Sequence, residues 1–321
     1  MGTVVALGGQ VGGAKLADGL YRLRGRDLVL IVNTGDDYEH LGLAFSPDLD
    51  TAVYALAGVA AAVAGWEPEA ESHALHGMLK ALGGPQQPLL GDKSLAAPLL
   101  RTQGLAAGRR LTEVTMDFCR HLGIAARVLP MSDDPVRTHV LTDDGAIPFP
   151  EYFGQLACEP RARGLEYAGA DQARIPDEVL DALHAADLEA VVICPANPYH
   201  VIGPILEISG MRELLRKRGA PVIAVTPIVG GKALKGSAGK MMRELGKEPS
   251  PRAVAFEYLR LIDGFVIDRQ DAQLAESVRS LGIQVLAAQT VMRSLDDRVA
   301  LARTVLDFAQ SVREKRALEV E

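Results

Sequence analysis

The chain has 321 residues, of which 48% are hydrophobic, 23% charged and 5% aromatic. That is the make-up of a packed globular protein, and it excludes disorder for the bulk of the chain. The 34 Lys and Arg against 41 Asp and Glu leave a net charge of −7, and no basic run marks a phosphate-backbone footprint, so nucleic acid is not an expected partner. The three cysteines, Cys119, Cys158 and Cys194, are too scattered for a disulfide framework or a CxxC knuckle, which points to a reducing, cytoplasmic setting. The chain begins directly with a strand-like run and shows no basic n-region, so no secretory signal is expected. The most apolar stretch, Thr51 to Gly65, is too short to span a bilayer, and no membrane partner is expected.

In chain order, TVVAL at 3–7 and LVLIVN at 28–33 are continuously apolar, β-branched runs separated by a helical pattern from Gly13 to Leu23. Similar runs return late, at 190–195, 221–227, 264–268 and 283–288, with helical patterns over 210–217, 251–261, 271–281 and 295–314. Strands that are apolar throughout are buried on both faces, which is the signature of a parallel sheet. The middle differs. From Thr51 to about Leu122 it is Ala/Leu-rich with helical spacing, and strand-like pieces follow at 126–129, 137–141 and 165–167 around a Pro-rich loop. The expectation is an α/β fold with a Rossmann-like doubly wound parallel sheet, its core formed by residues 1–50 and 186–321, and an inserted α+β lobe over 51–185.

The first strand runs into Gly8-Gly9-Gln10-Val11-Gly12-Gly13-Ala14-Lys15, where a helix begins at once. Glycines there let backbone amides approach a phosphate, although such turns also occur for packing alone. The second strand ends in Asn33-Thr34-Gly35-Asp36-Asp37, with His40 and then Asp48 and Asp50 beyond. In an open α/β sheet these four carboxylates fall beside the glycine loop, at the carboxyl ends of the strands. Phosphate and carboxylates repel unless a hard cation lies between them, and Mg²⁺ suits such oxygen ligands; helix capping and turn formation explain any one of the four equally well.

Two later loops follow the same logic: Cys194-Pro195-Ala196-Asn197-Pro198 and the stretch from Thr226 through Gly230, Gly231 and Lys232 to Lys235 and Gly236, with lysines as point charges for phosphate. In the middle region, Leu90-Gly91-Asp92-Lys93 and Pro130-Met131-Ser132-Asp133-Asp134-Pro135 are compact polar groups that either build a pocket or simply turn the chain. His73 and His76 share a helix face without a third ligand and read as a surface pair. There is no G-x-S-x-G elbow and no Cys/His signature, so no nucleophilic side chain is expected.

Taken together and in order, GGQVGGAKLADGL, NTGDDYEHLGL, SPDLDTAVYALAG, LGDK, PMSDDPVRTHV, CPANPYHVIGPIL and TPIVGGKALKG resemble the CofD family, the 2-phospho-L-lactate transferases of deazaflavin coenzyme F-420 biosynthesis. The resemblance implies a Rossmann-like core with a smaller lobe, a homodimer and a need for Mg²⁺. It implies that a guanosine diphosphate-linked lactate, or a close three-carbon analogue, donates its phospho-acid to the ribityl hydroxyl of the deazaflavin Fo and releases GMP. Carried over, Gly9, Gly12, Gly13, Lys15, Asn33, Asn197, Gly230, Gly231 and Lys235 hold the guanosine diphosphate moiety. Asp36, Asp37 and Asp50 serve catalysis and the metal, and Asp50, Asp92, Lys93, Met131, Ser132 and Asp133 face the deazaflavin. The chain departs from the family at Gln10, where a second glycine is common, at Ala196 for Ser, at Ser94 for Asp and at Ser237 for Pro.

Two other readings share some of these features. A nucleotide-sugar-binding regulator of the gluconeogenesis-factor type would carry the glycine loop and the NTGDD-like segment, but not the LGDK and PMSDD segments. A nicotinamide-dependent oxidoreductase would end its second strand on one acidic residue, where this chain has Asn33.

Overall fold

The computed structural model describes residues 2–62, 65–233 and 237–320. Seven parallel strands form the main sheet, numbered here in chain order: β1 (Thr3–Gly8), β2 (Leu28–Val32), β3 (Arg127–Pro130), β4 (Leu188–Ile193), β5 (Val222–Val225), β6 (Gly264–Asp268) and β7 (Gln284–Ala288). Their spatial order is 3-2-1-4-5-6-7. This is the doubly wound order, and its direction reverses between β1 and β4, where a crevice opens at the carboxyl ends of the strands. All six runs expected at the two ends of the chain are strands of this sheet. Val4 pairs with Leu28 on one side and with Ala190 on the other, where the register shifts by one residue between Thr3 and Val4.

The apolar runs are buried on both sides because each supplies two cores. Val5, Leu7, Val29 and Ile31 face one hydrophobic cluster, while Val4, Ala6, Leu28, Leu30 and Val32 face the other. The second cluster is closed by α1 (Gln10–Arg24) and by the long last helix, Leu295–Val320, which lies along α1. Asp18 on α1, almost fully buried, pairs with Arg298 at 3.0 Å and with Arg22 at 3.2 Å.

One expected strand falls elsewhere. The run at 126–129, expected in the inserted lobe, is β3, the edge strand beside β2 in the main sheet; it is short, and its partner β2 lies far away in the sequence. The pattern over 271–281 opens as a 3₁₀ turn, Arg269–Leu274, before the α-helical Ala275–Arg279. Between β2 and β3 lie a hairpin (Tyr38–His40 with Leu43–Phe45) and four helices: α2 (Pro47–Ala57), α3 (Ala74–Ala81), α4 (Ala96–Ala106) and α5 (Leu111–His121). After β3 comes a three-stranded antiparallel sheet with Arg137–Thr142 in the centre. No helix among the described residues is long and apolar enough to cross a membrane, and all three cysteines are free and buried.

The glycine loop is built first of all for packing. A Cβ at Gly9 would collide with the Asp48 carboxylate and Val201, and one at Gly12 with the Pro195 carbonyl oxygen, so α1 seats against the ends of β1 and β4 only if both lack side chains. Gly13 has room for a methyl group, its nearest neighbour being Gly8 Cα at 3.5 Å. Gly12→Val is therefore expected to act on the fold and not on a ligand alone. Thermal unfolding should show a loss of about 1–3 kcal/mol or a failure to fold, and a stable Gly12→Val protein with normal Tm would contradict this packing role.

Candidate functional site

The crevice between β1 and β4 is filled by a buried polar network that starts from one asparagine. Asn33, fully buried at the end of β2, donates through Nδ2 to Asp48 Oδ2 at 3.0 Å and to the His200 carbonyl at 3.3 Å, while its Oδ1 accepts from the Gly35 amide at 2.8 Å. Asp48 in turn accepts the Gln10 amide at 2.8 Å. A carboxylate thus caps the positive end of α1, whose own N-cap residue, Gly9, has no side chain for the task. Gln10 adopts a left-handed φ of 54°, a conformation in which glycine costs less. Its side-chain Nε2 lies 3.2 Å from His200 Nε2, and His200 Nδ1 lies 3.0 Å from Asp36 Oδ2. Donation from Gln10 places the imidazole proton on Nδ1, from which it reaches Asp36.

His200 is completely buried, and Phe149 stacks on its ring at 3.8 Å. Burial lowers its pKa to about 3, so the ring is neutral. The same desolvation raises the carboxyl groups: Asp36 well above the usual range, Asp37 to about 8, and Asp48 to about 7 with Asp36 adding repulsion. The Asp36 contact with His200 is accordingly a hydrogen bond and not an ion pair. Asp37 receives the Ser46 hydroxyl at 2.7 Å. Asp36 Oδ1 and Asp37 Oδ1 are buried and have no hydrogen-bond partner among the described residues.

Asp50 sits on the other side of the cluster, in the first turn of α2. Both of its oxygens are taken by Arg101 of α4, with the Nη1 contact at 3.3 Å. Arg101 is 1% exposed, also donates to the Ala44 carbonyl at 3.2 Å, and lies over the Phe118 ring. Asp36, Asp37 and Asp50 therefore do not converge on one point. No group of three or more His, Cys, Asp or Glu side chains among the described residues is arranged to hold a metal ion. What fits Mg²⁺ is the pair of orphaned oxygens on Asp36 and Asp37, because Mg²⁺ is commonly held by one or two carboxylates, water and substrate phosphate. Asp50 is held by a guanidinium and does not complete that set.

The remaining expected residues are mostly engaged in shaping loops. Lys15 Nζ donates to the Met292 carbonyl at 3.1 Å. Asn197 is buried, closes its own turn onto the Tyr199 amide at 2.9 Å and lies 3.7 Å from Met241 Sδ. Gly230 and Gly231, with φ of 58° and 73°, form the two-residue turn of a small hairpin, Ile228–Val229 with Lys232–Ala233. The Gly230 amide donates to Asp271 at 2.9 Å, so it is not open to phosphate. Lys235 lies outside the described residues.

The expected deazaflavin set is likewise structural in its hydrogen bonds. Asp92 caps α3 through the Ala74 and Leu75 amides and takes the Ser72 hydroxyl. Lys93 reaches the Glu69 carbonyl at 2.6 Å, and Glu71 gathers the amides of Lys93 and Ser94. Met131 is core, Ser132 donates to the Arg174 carbonyl at 2.7 Å, and Asp133 caps α5 through the Thr112 amide at 2.7 Å. His73 and His76 bracket the backbone of Leu90 through their Nδ1 atoms.

The sequence reading did not single out Arg101 or His200. A lone arginine in the apolar helical run PLLRTQG was the available signal for the first; the second lay unremarked inside NPYHV.

A doubly wound sheet with buried aspartates gathered at the carboxyl ends of its strands, one of them capping the helix that follows β1, defines an α/β protein of the Rossmann-like class. The family model for the 2-phospho-L-lactate transferase CofD matches residues 4–304, and the chain belongs to that family. It is 39% identical over 317 residues to a phosphoenolpyruvate transferase of Streptomyces griseus, covering 97% of this chain and 99% of the relative. It is 38% identical over 315 residues to a 2-phospho-L-lactate transferase of Methanopyrus kandleri, covering 96% and 98%. Among solved structures, a UPF0052-family protein of Bacillus halodurans superposes with a TM-score of 0.63 at 14% identity over 95% of this chain and 98% of its own, a likeness of fold alone.

The raised carboxyl groups set a sign for stability against pH. Asp37 and Asp48 keep protons in the fold that the unfolded chain has already lost, so their contribution is present at low pH and disappears as pH rises through about 7 and 8. His200 works oppositely, but only below its unfolded value of about 6.5. In excess EDTA, Tm should fall by a few degrees between about pH 6.5 and 8, and Mg²⁺ should restore more of it at the upper end. A Tm that is flat or rising across this window would contradict the burial of these groups.

Proposed function

We propose that the protein transfers a three-carbon phospho-acid from a guanosine diphosphate-linked donor to the terminal ribityl hydroxyl of Fo, releasing GMP, in coenzyme F-420 biosynthesis. The observation that carries this reading is the cluster of Asp36, Asp37, Asp48 and Asp50 at the carboxyl ends of β1 and β2, in a chain whose family match runs almost end to end. In the reaction the hydroxyl oxygen bonds to the phosphorus that bears the acid, the bond from that phosphorus to the GMP oxygen breaks, and the hydroxyl proton leaves to a carboxylate or water. Such a step needs positioning and neutralisation of charge more than a covalent nucleophile, and the three cysteines are buried.

Mg²⁺, when bound at Asp36 and Asp37, would neutralise phosphate charge there. Asp50 faces the acceptor hydroxyl. The Tyr38 and Phe45 rings, stacked at 5.0 Å on the hairpin that leads into α2, offer a flat surface of the kind a deazaflavin requires. The loops carrying Asp92, Lys93, Met131, Ser132 and Asp133 shape the far wall, with their side chains committed to holding those loops. We also propose a cytoplasmic setting and a homodimer, the latter supported by the exposed apolar Leu75 and Met78 on α3 and Leu82 just past its end.

Incubation with Fo, Mg²⁺ and guanosine diphosphate-linked phospholactate, phosphoenolpyruvate or phosphoglycerate in turn, with products read by mass, tests the proposal and identifies the acid. Absence of product with every donor, together with unchanged Fo fluorescence on titration, would favour a nucleotide-sugar regulator. Asp50→Asn is expected to lower turnover on the order of 10²-fold. It also leaves Arg101 buried against a neutral partner, at a cost of up to about 3–5 kcal/mol. The double variant Asp50→Asn/Arg101→Met should regain much of that stability and none of the activity. Recovery of turnover in the double variant would remove Asp50 from the reaction.

A further inference from the structure

Arg101 belongs to none of the motifs that carry the family resemblance, yet it is almost fully buried against the acidic cluster. It is 1% exposed, whereas the Asp50 side chain that it holds is 13% exposed, so the open edge of the carboxylate is the edge that Arg101 does not cover. Each carboxylate oxygen has a second lone pair, and a guanidinium fork fixes the plane in which those lone pairs lie. The same helix grips the strand before α2 by both backbone groups of one residue: the Ala44 carbonyl accepts from Arg101 at 3.2 Å and the Ala44 amide donates to Thr102 Oγ1 at 2.8 Å. Two residues later, Ser46 donates to Asp37 and its carbonyl accepts the Asp50 amide at 3.0 Å. One helix turn of the inserted lobe thus sets two of the four carboxylates, Asp50 directly and Asp37 through Ala44 and Ser46.

We propose that Arg101 is a positioning residue for the transfer step: it clamps the inner edge of Asp50 so that the outer edge is presented to the acceptor hydroxyl, and it ties the acceptor-side lobe to the nucleotide-side core. This rests on the transferase reading above. Arg101 does not touch the substrates, so its loss should appear in the rate of the bound complex and not in affinity. A displacement of about 1 Å at a reacting group costs on the order of 10²-fold in rate.

With the wild-type protein and its active donor, Arg101→Lys, Arg101→Met and Arg101→Ala are compared for kcat and for the KM of each substrate. The expected result is kcat lowered about 10-fold in Arg101→Lys and about 10²-fold in Arg101→Met, with both KM values within about threefold of wild type. Guanidinium ion added at millimolar concentrations should return part of the kcat of Arg101→Ala and leave the wild type unchanged. A merely structural Arg101 would lower Tm without this split and without rescue. If Arg101→Met does not fold, Arg101→Lys, which retains the charge, carries the comparison. The proposal is overturned if the folded variants keep kcat within about threefold, or if the whole loss falls on the KM of the nucleotide donor. A wild-type protein inactive with every donor would instead overturn the functional reading, and this inference with it.

Discussion

Four carboxylates taken out of water within one crevice are the constraint around which this protein is arranged. Desolvating a carboxylate is costly unless donors replace the lost water, and each of the four has found a different one. Asp48 has the first amide of α1 and the Asn33 side chain, Asp36 the His200 imidazole, Asp37 the Ser46 hydroxyl, and Asp50 a buried guanidinium. The donors come from β2, the loop after β4, the hairpin and the inserted lobe. Parts of the chain that also share the hydrophobic cores are in this way joined by polar contacts, and Oδ1 of Asp36 and of Asp37 are left without donors among the described residues.

This arrangement also changes what the glycines mean. A glycine-rich turn before a helix is usually read as a phosphate cradle. Here Gly9 and Gly12 are required because Asp48 and the Pro195 carbonyl press against the turn, and the first free amide is already given to Asp48. Gln10, which breaks the family pattern, keeps the left-handed backbone and uses its side chain to reach His200. The extra atoms of the glutamine join the network beside the N-terminal end of α1.

The sheet was legible because buried parallel strands leave continuous apolar runs, and six of its seven strands carry one. β3 was read as a strand but placed in the lobe, since pairing partners 100 residues apart leave no local mark. The acidic cluster was legible as well, because carboxylates at strand ends are conspicuous in an apolar chain. Its partners were not. Arg101 is an ordinary residue of an Ala/Leu-rich helix until α4 packs on the Leu43–Phe45 strand that leads into α2, and the capping roles of Asp92 and Asp133 depend on helices that begin 18 residues before the one and 22 before the other. Short polar motifs look the same in sequence whether they bind a ligand or finish a helix.

The placement of β1 has a consequence for biosynthesis. Of the strands of the main sheet β1 comes first in the chain, and it is an interior strand, pairing on one side with β2, which follows closely, and on the other with β4, where Val4 meets Ala190. At roughly 5–20 residues per second the second partner arrives about eight to thirty seconds after the first. Throughout that interval β1 presents an unpaired edge of Val, Ala and Leu, the kind of template on which strands of other chains add. The helix Leu295–Val320, which packs along α1 and on β4 to β7, follows later still in the chain. The nascent chain is thus expected to need shielding along β1 until the core closes, and variants that slow the making or docking of β4 should lower soluble yield more than they lower the melting temperature of the finished protein.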